Sequence, residues 1–220
     1  MTDGEEAAET TPSDVVATYD EIATHFATKR ENPWPEVTSF LEGAEGETAL
    51  DIGCANGRHT ELLAAVADRT IGLDASRALL EEAEVRREAH DFDAGLLQGD
   101  AGRLPLREDS VELATYVATM HHLPTREGRL RSLDELARVL TPDGRALISV
   151  WSTDHDRFEE TEGFDTTVTF TMPDGRAVPR YYHIYDQEEF ETDLEASDLV
   201  VRRSWLSAGN CYAVVSGSDC

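Results

Sequence analysis

The sequence is almost without lysine, since Lys29 is the only one among 19 basic residues, against 45 acidic ones. The net charge of −26 would make the folded chain repel itself at low ionic strength. At molar salt the Debye length falls to about 3 Å, and this repulsion is largely screened. The composition therefore predicts a halophilic protein of a salt-rich cytosol, with an acidic protein of an ordinary cell as the alternative.

Cysteines and long apolar runs are also scarce. The three cysteines, Cys54, Cys211 and Cys220, are odd in number and fit no zinc-ligand spacing, so we expect reduced thiols and no bound metal. No apolar stretch approaches the roughly 20 residues of a membrane span. The acidic N-terminus lacks the apolar core of a signal peptide. These absences predict a cytoplasmic protein without membrane contact.

The excess of acid leaves a nucleic-acid substrate open. In high salt, non-specific attraction to phosphate is weak for any protein. Recognition of RNA would then depend on short-range contacts, which a few arginines can supply. Net charge therefore does not decide between RNA and a small molecule.

The chain reads as a disordered acidic tail, 1–12, and a single domain, 13–220. Short apolar strands alternate with amphipathic helices over about 48–151, which predicts a parallel sheet with helices on both faces. Residues 151–185, with a predicted hairpin, are interpreted as a substrate-side insertion. The chain is expected to end in an antiparallel strand pair around Gly209-Asn210.

Two local signals set expected boundaries. Ser13 is interpreted as the cap of a helix that runs to about Phe26, where the apolar spacing is helical. Thr141-Pro142-Asp143-Gly144 is interpreted as a turn that precedes a strand over 145–151.

The strongest functional signal is Leu50-Asp51-Ile52-Gly53-Cys54-Ala55-Asn56-Gly57, a buried strand followed by a turn of small residues. In doubly wound sheets, ligands bind at the carboxyl ends of strands, where the backbone approaches closely. The spacing does not match the dinucleotide fingerprint, which needs its third glycine three positions after the second. Asp51 would also lie poorly beside a pyrophosphate, but favourably beside the ammonium group of S-adenosylmethionine (SAM).

Acidic residues follow the next two predicted strands. Asp74 comes 23 residues after Asp51 and can accept hydrogen bonds from both ribose hydroxyls of a nucleoside. Asp100 ends the third strand and can accept from an adenine amino group. Alone, each carboxylate would more often be a helix cap or a turn residue, but three on successive strand ends favour a nucleoside site.

These motifs, with Pro105 and Asp109-Ser110-Val111-Glu112, resemble the class I SAM-dependent methyltransferases over about 47–151. The resemblance implies an α/β Rossmann-like fold whose seven-stranded, mostly parallel sheet has a C-terminal antiparallel pair and helices on both faces. Ala55 departs from the family, which usually has glycine there, and fits if its φ is negative. The implied cofactor-binding residues are Asp51, Gly53, Ala55, Gly57, Asp74, Ala75, Asp100, Ala101 and Val117.

A narrower resemblance concerns the substrate. Five short segments resemble motifs of the tRNA wobble-uridine carboxymethyl methyltransferases and of an AlkB-homologue methyltransferase domain. They are Tyr19–Ala23, Lys29–Pro35, Met120–Leu123, Arg180–His183 and Gly209-Asn210. That family makes the methyl ester of 5-carboxymethyluridine at tRNA position 34. The resemblance also implies a small zinc-binding activator subunit as a partner.

The chemistry suits these residues, because a carboxylate is already ionised near neutral pH and needs orientation more than a strong base. Arginine holds carboxylates bidentately, so Arg30 and Arg180 are the candidate clamp. His121 is expected to donate a hydrogen bond to the substrate, while His122 is interpreted as structural. The implied substrate-binding residues are Trp34 and Tyr181, which could stack on the base, and Asn210.

The third strand offers its own reason to expect a partner in a heterodimer. In this fold it lies at one edge of the sheet, and natural edges are usually protected by charge, proline or a bulge. Residues 94–98, Ala-Gly-Leu-Leu-Gln, have none of these in a chain that is 29% charged. A strand from a partner could pair with this edge, with Leu96 or Leu97 in apolar contact.

Two other functions stay open. A methyltransferase of a small metabolite, such as a quinone or an amine, would have an apolar entry segment, whereas this one carries Lys29, Arg30 and Arg180. A non-catalytic SAM-fold module that binds a partner would have no need of Asp51, Asp74 and Asp100.

Overall fold

The computed structural model describes residues 10–217, which fold as alternating helices and strands. The helices are α1 (Pro12–Thr28), α2 (Pro35–Leu41), α3 (Thr60–Ala64), α4 (Arg77–His90), α5 (Arg126–Val139) and α6 (Gln187–Glu195), with a 3-10 turn at Met120–His122. The strands are β1 (Gly46–Ile52), β2 (Ala67–Asp74), β3 (Gly95–Gln98), β4 (Val111–Val117), β5 (Leu140–Trp151), β6 (Phe164–Thr171), β7 (Ala177–Ile184), β8 (Val200–Ser207) and β9 (Asn210–Ser216).

Seven strands form one sheet in the order β3-β2-β1-β4-β5-β9-β8. The first five are parallel, and β9 pairs antiparallel with both β5 and β8. The predicted α/β fold with its closing antiparallel pair is confirmed. The direction of the chain along the sheet reverses between β1 and β4, and such a switch point leaves a crevice at the carboxyl ends of the strands.

Apolar side chains cover both faces of this sheet. On one face, α5 and α6 pack through Leu133, Leu136 and Phe190, all fully buried, onto β4 and β5. On the other, α2 and α3 pack through Val37 and Leu63. Each such side chain stabilises the fold by about 1.5–3 kcal/mol relative to an exposed one. Because helices bury both faces of the sheet, the sequences of its strands are nearly continuous apolar runs.

The hairpin β6–β7 forms a second, two-stranded sheet that lies beside α1. Its register pairs Phe164 with Ile184 and Thr171 with Ala177. The helix α1 packs on α4 and on this hairpin through Tyr19, Ile22 and Ala23. The helix α1 and the hairpin therefore cover one side of the crevice.

Two boundaries differ from expectation. The cap of α1 is Thr11, whose hydroxyl accepts from the backbone amide of Asp14, so the helix begins inside the predicted tail. Of that tail, residues 1–9 lie outside the described part. The predicted turn at Thr141–Gly144 is wrong, because these residues belong to β5 and are accommodated by a register shift opposite β4. Pairing with a neighbouring strand outweighs local turn propensity there.

Within residues 10–217, no helix is both long and apolar enough to span a membrane.

Candidate active site

A cavity of about 700 Å³ opens at the carboxyl ends of β1, β2 and β4, in the crevice at the switch point. Residues that follow the first four strands line it, together with α1, the turn after β4 and the hairpin strand β7. The lining includes eleven of the predicted site residues: Arg30, Trp34, Gly53, Ala55, Asp74, Ala75, Asp100, Ala101, Val117, His121 and Arg180. Sequence motifs that lie up to about 150 residues apart thus meet at one site.

The turn after β1 has the tight geometry predicted for it. Gly53 has a φ of +70°, and a Cβ there would lie 2.2 Å from the side chain of Thr119, so only glycine fits. Ala55 has a φ of +48°, so the condition of a negative φ is not met. This alanine adopts the left-handed region, which costs about 1–2 kcal/mol for a residue with a Cβ. The turn keeps the backbone close to the cavity at the expense of local strain.

Asp51 lies behind this turn, outside the lining of the cavity. Its carboxylate is buried and accepts hydrogen bonds from the hydroxyls of Thr60 at 2.7 Å and Thr115 at 2.8 Å. Burial raises the pKa of this carboxyl, and the two threonine bonds oppose the shift. Asp51 therefore joins β1, α3 and β4 beneath the turn, and its contact with an ammonium group stays a prediction.

Asp74 meets the cavity at the end of β2. One carboxylate oxygen accepts from the backbone amide of Ala55 at 2.9 Å and the other from that of Ser76 at 2.8 Å. Each oxygen keeps lone pairs for further donors such as ribose hydroxyls. Burial is the main cause that raises the pKa of Asp74 to about 6, against the lowering effect of these two bonds. The geometry suits the predicted nucleoside contact.

The remaining lining at this end fits a nucleoside as well. Asp100 lies at the end of β3, where its Oδ1 accepts from the backbone amide of Gly102 at 2.8 Å. Ala75, Ala101 and Val117 add small apolar surface to the lining of the cavity. The carboxylates of Asp74 and Asp100, the turn after β1 and the apolar lining provide the kinds of contact that the adenosine and methionine parts of SAM require. Gly57, with a φ of +77°, packs against Ala83 and does not line the cavity.

His121 and His122 have opposite hydrogen-bond arrangements. The backbone amide of Trp151 donates to Nδ1 of His121 at 2.9 Å, so a neutral His121 carries its proton on Nε2. In His122, Nδ1 donates to the carbonyl of Tyr181 at 2.9 Å and Nε2 accepts from the hydroxyl of Tyr19 at 2.8 Å. Burial lowers the pKa of both rings, that of His122 to about 3. His122 is therefore fully engaged, whereas His121 retains an N–H to offer.

Arg180 is a buried cation without a counter-ion in the described part of the chain. Its residue is only 6% exposed, and its Nε and Nη1 atoms have no hydrogen-bond partner among residues 10–217. Its guanidinium carbon lies 5.2 Å from the ring centroids of both Phe170 and Tyr182. Aromatic faces offset part of the cost of burying a charge, but N–H groups without acceptors remain expensive. A guanidinium in this state on the wall of a cavity favours an anionic ligand.

The predicted substrate segment is attached directly to the cofactor turn. The Asn56 side-chain amide donates to the carbonyl of Arg30 at 3.0 Å, and the amide of Trp34 donates to Nε2 of His59 at 3.3 Å. The guanidinium carbon of Arg58 lies 5.7 Å from the ring of Trp34. Burial is the first cause that lowers the pKa of Arg58 to about 10, followed by the charge of Arg30.

Two predicted substrate residues lie outside the cavity. The Tyr181 hydroxyl is within hydrogen-bond distance of Asp165 at 2.7 Å, on the outer side of β7. Asn210 donates to the carbonyl of Ala208 at 3.0 Å. Neighbouring residues of a strand point to opposite faces, so Tyr182 lines the cavity and stacks on Trp151 at 4.9 Å. Arg180 and Tyr182 are two residues apart on this strand, so they point to the same face. This spacing could have predicted from the sequence that Tyr182, and not Tyr181, accompanies Arg180 in the cavity.

Comparison with known proteins gives three relevant likenesses. A family model described as a methyltransferase domain matches residues 50–148. The tRNA (carboxymethyluridine(34)-5-O)-methyltransferase ALKBH8 of Mus musculus is 37% identical over 152 residues, which cover 69% of this chain and 22% of that protein. The tRNA (carboxymethyluridine(34)-5-O)-methyltransferase of Saccharomyces cerevisiae is 31% identical over 180 residues, which cover 80% of this chain and 62% of that protein.

Among solved structures, a putative methyltransferase in complex with the Trm112 methyltransferase activator of Haloferax volcanii has a TM-score of 0.69. It is 16% identical, and the match covers 91% of this chain and 98% of that one, which shows a shared fold. The chain spans less than two thirds of the length of the curated relatives just described. With the glycine turn and the two cavity carboxylates in place, the chain is a SAM-dependent methyltransferase with SAM as its cofactor, and it is similar to the tRNA carboxymethyluridine methyltransferases.

Proposed function

We propose that this protein methylates the carboxylate of 5-carboxymethyluridine at the wobble position of tRNA, forming the methyl ester. The observation that supports this most is Arg180, a buried guanidinium on the cavity wall whose Nε and Nη1 lack acceptors. A substrate carboxylate would supply those acceptors. A quinone or an amine substrate would leave the cation unpaired.

The reaction demands little proton chemistry from the protein. SAM supplies an electrophilic methyl group on a sulfonium sulfur, so transfer forms an O–CH₃ bond, breaks the S–CH₃ bond and leaves a thioether with a neutral ester. The carboxylate is ionised at neutral pH, and no general base is needed. The contribution expected of the protein is to orient one carboxylate oxygen and to exclude water.

Arg180 and Arg30 are assigned to the carboxylate, and the two differ in setting. Arg180 is buried and comes from β7, whereas Arg30 is half-buried at the end of α1 and lies over Phe26 at 5.3 Å. The Nε2–H of His121 is the third donor, because its Nδ1 is occupied by Trp151. Three donors from separate elements can hold a carboxylate in one orientation. Trp34, at the rim, is assigned to stacking on the uracil ring.

The relatives support the choice of substrate. Both curated relatives described above are named as methyltransferases of carboxymethyluridine 34 in tRNA. The predicted substrate segment, with Arg30 and Trp34, lies beside the cofactor turn and is tied to it through Asn56.

The deciding experiment is mass spectrometry of nucleosides from the tRNA of a strain that lacks the gene. We expect the methyl ester of 5-carboxymethyluridine to disappear and the free acid to accumulate. Purified protein with labelled SAM should then transfer methyl to that tRNA. An unchanged methyl ester in the deletion strain would contradict the proposal. Transfer to a small-molecule extract but not to tRNA would favour the metabolite alternative, and no SAM binding would favour a non-catalytic module.

We also propose that a small zinc-binding activator subunit adds to the sheet at β3. This strand is the edge of the sheet and pairs on one side only, with β2. Leu97 is 37% exposed there, with no charged residue in the strand. Leu96 is half-buried and packs against Gly72. Its Cδ2 would lie 3.1 Å from a Cβ if one were added to this glycine. Leu97 is therefore the residue assigned to the partner in a heterodimer, in a salt-rich cytoplasm.

A further inference from the structure

We infer that the exposed surface around Arg203 and Trp205 on β8 binds the RNA strand beside the target nucleotide, with Trp205 as a stacking platform and Arg203 as a phosphate contact. This inference rests on the proposed function, since it concerns the tRNA that the enzyme would modify. It adds a surface outside the cavity, at the opposite edge of the sheet from β3.

The first observation is a line of aromatic rings that begins at the cavity. Trp34 lines the cavity, and its ring lies 6.3 Å from that of Tyr212. Tyr212 in turn is stacked on Trp205 at 5.4 Å, with the ring planes only 13° apart. Tyr212 is buried, while Trp34 and Trp205 are partly exposed on either side of it. The buried ring therefore braces two accessible indoles that are close enough for neighbouring nucleotides.

The second observation is the charge at the outer end of this line. The guanidinium carbon of Arg203 lies 4.5 Å from the centroid of the Trp205 ring. Arg203 is exposed and has no ion-pair partner among residues 10–217. Glu36, on α2, accepts a hydrogen bond from the hydroxyl of Ser207 at the end of β8. Tyr212 and the Arg203 guanidinium both lie against the Trp205 ring, so an incoming base would displace the guanidinium from the indole and leave it free to donate to a phosphate.

The third observation is the strong negative charge of the whole chain. With a net charge of −26, long-range attraction of RNA is absent, and molar salt weakens phosphate contacts further. Stacking depends on short-range contact and is less sensitive to salt. A single-stranded RNA partner is thus bound most effectively where arginine and tryptophan occur together. The anticodon loop presents such unpaired bases on both sides of its wobble nucleotide.

Arg145 provides a matched control on the same sheet. Its guanidinium carbon lies 5.2 Å from the ring of Phe40, so it has the same kind of contact as Arg203. It lies in the first half of β5 and does not line the cavity, and no ring contact connects Phe40 to Trp34 in residues 10–217.

The test measures binding of a fluorescently labelled anticodon stem-loop RNA by anisotropy in molar KCl, with the full chain. Trp205→Ala should weaken binding about 5- to 150-fold, the effect of losing one base–aromatic stack. Arg203→Ala should weaken binding and reduce the slope of log K against log salt by roughly 0.7. Arg145→Ala should change neither. Trp205→Tyr should retain most of the affinity and Trp205→Leu should not, which separates stacking from simple packing even if the alanine variant folds poorly.

Methyl transfer distinguishes this inference from the proposed function. Trp205→Tyr and Trp205→Leu should differ in KM for the RNA but not in kcat on free 5-carboxymethyluridine nucleoside. RNA that binds through Trp205 but is never methylated would refute the proposed function and leave this surface intact. Equal RNA affinity for the Tyr and Leu variants, equal losses for Arg203→Ala and Arg145→Ala, or no RNA binding by the parent protein would each overturn the inference.

Discussion

The backbone amide of Trp151 donates a hydrogen bond of 2.9 Å to Nδ1 of His121, and this contact determines which ring nitrogen can serve the substrate. Because Nδ1 is an acceptor, the proton of the neutral ring is on Nε2. Burial is the largest cause that lowers the pKa of His121, followed by electrostatic interaction with His122 and with the charge of Arg180. The ring is therefore a neutral donor on the cavity wall.

His121→Ala should lower kcat/KM on tRNA about 10- to 150-fold, the scale of one hydrogen bond to a charged group, while SAM affinity stays unchanged. Arg30→Ala should behave in the same direction. Since the pKa of His121 lies well below 6.5, kcat at saturating SAM should show no inflection near that value. Parent-level methylation of tRNA by both variants would refute the substrate assignment.

Arg180→Met should remove an unpaired buried cation and abolish carboxylate binding. Replacing a buried ion pair by apolar side chains of similar volume is often neutral or stabilising by about 1–4 kcal/mol, and a cation without an ion-pair partner in residues 10–217 has no such attraction to lose. We expect an unchanged or raised Tm together with a loss of activity on tRNA.

The control is Arg129→Met at a site that is 4% exposed. Arg129 donates to the carbonyl of Leu123 at 3.3 Å and faces Glu189 at 3.8 Å. Its loss leaves an acceptor and a carboxylate without their partner, so Tm should fall. A lower Tm for Arg180→Met would mean that the folded chain itself uses this charge.

Asp74→Ala should weaken SAM binding by about 1.5–3 kcal/mol, measured by calorimetry. The pKa of Asp74 is raised to about 6, and ribose hydroxyls donate to its ionised form. Affinity should therefore be full above this value and fall as the pH decreases through about 6. Asp74→Asn should bind more weakly at every pH and lose that inflection. Parent-like affinity in the alanine variant would rule out the ribose contact.

Salt should be needed for both stability and activity. Dilution of KCl from molar to about 0.1 M lengthens the Debye length to about 10 Å, which restores repulsion among the charges that sum to −26. We expect Tm to fall steadily on dilution, as followed by circular dichroism. A Tm that is independent of KCl concentration would show that the acidic surface is not an adaptation to salt.

Leu97→Lys should disrupt the proposed heterodimer without unfolding the chain, because Leu97 is exposed at the sheet edge. Co-purification with the activator and the activity of the mixture are the measurements. Leu96→Lys is the comparison, since Leu96 packs against Gly72 and its loss should lower Tm instead. A lone parent protein that is monodisperse and fully active, with Leu97→Lys equally active, would exclude the partner.

The sequence by itself determined the sheet and the place of the cofactor. Alternating strand and helix periods are local properties, and they predict a parallel sheet before any contact is known. The small-residue turn at Gly53 and the carboxylate of Asp74 then have one place to meet, because carboxyl ends of parallel strands share an edge. Arg30, His121 and Arg180 were likewise assigned to one site from short motifs, and all three line the cavity.

Tertiary structure alone decided how these residues are engaged. Asp51 accepts from threonines of two other segments and so lies behind the turn it follows. Tyr182 rather than Tyr181 faces the cavity, since the register of the hairpin sets which side of β7 points inward. Whether Arg180 has a counter-ion depends on what α1 and the hairpin bring beside it. Burial, register and pairing between distant segments are three-dimensional quantities, and no local pattern specifies them.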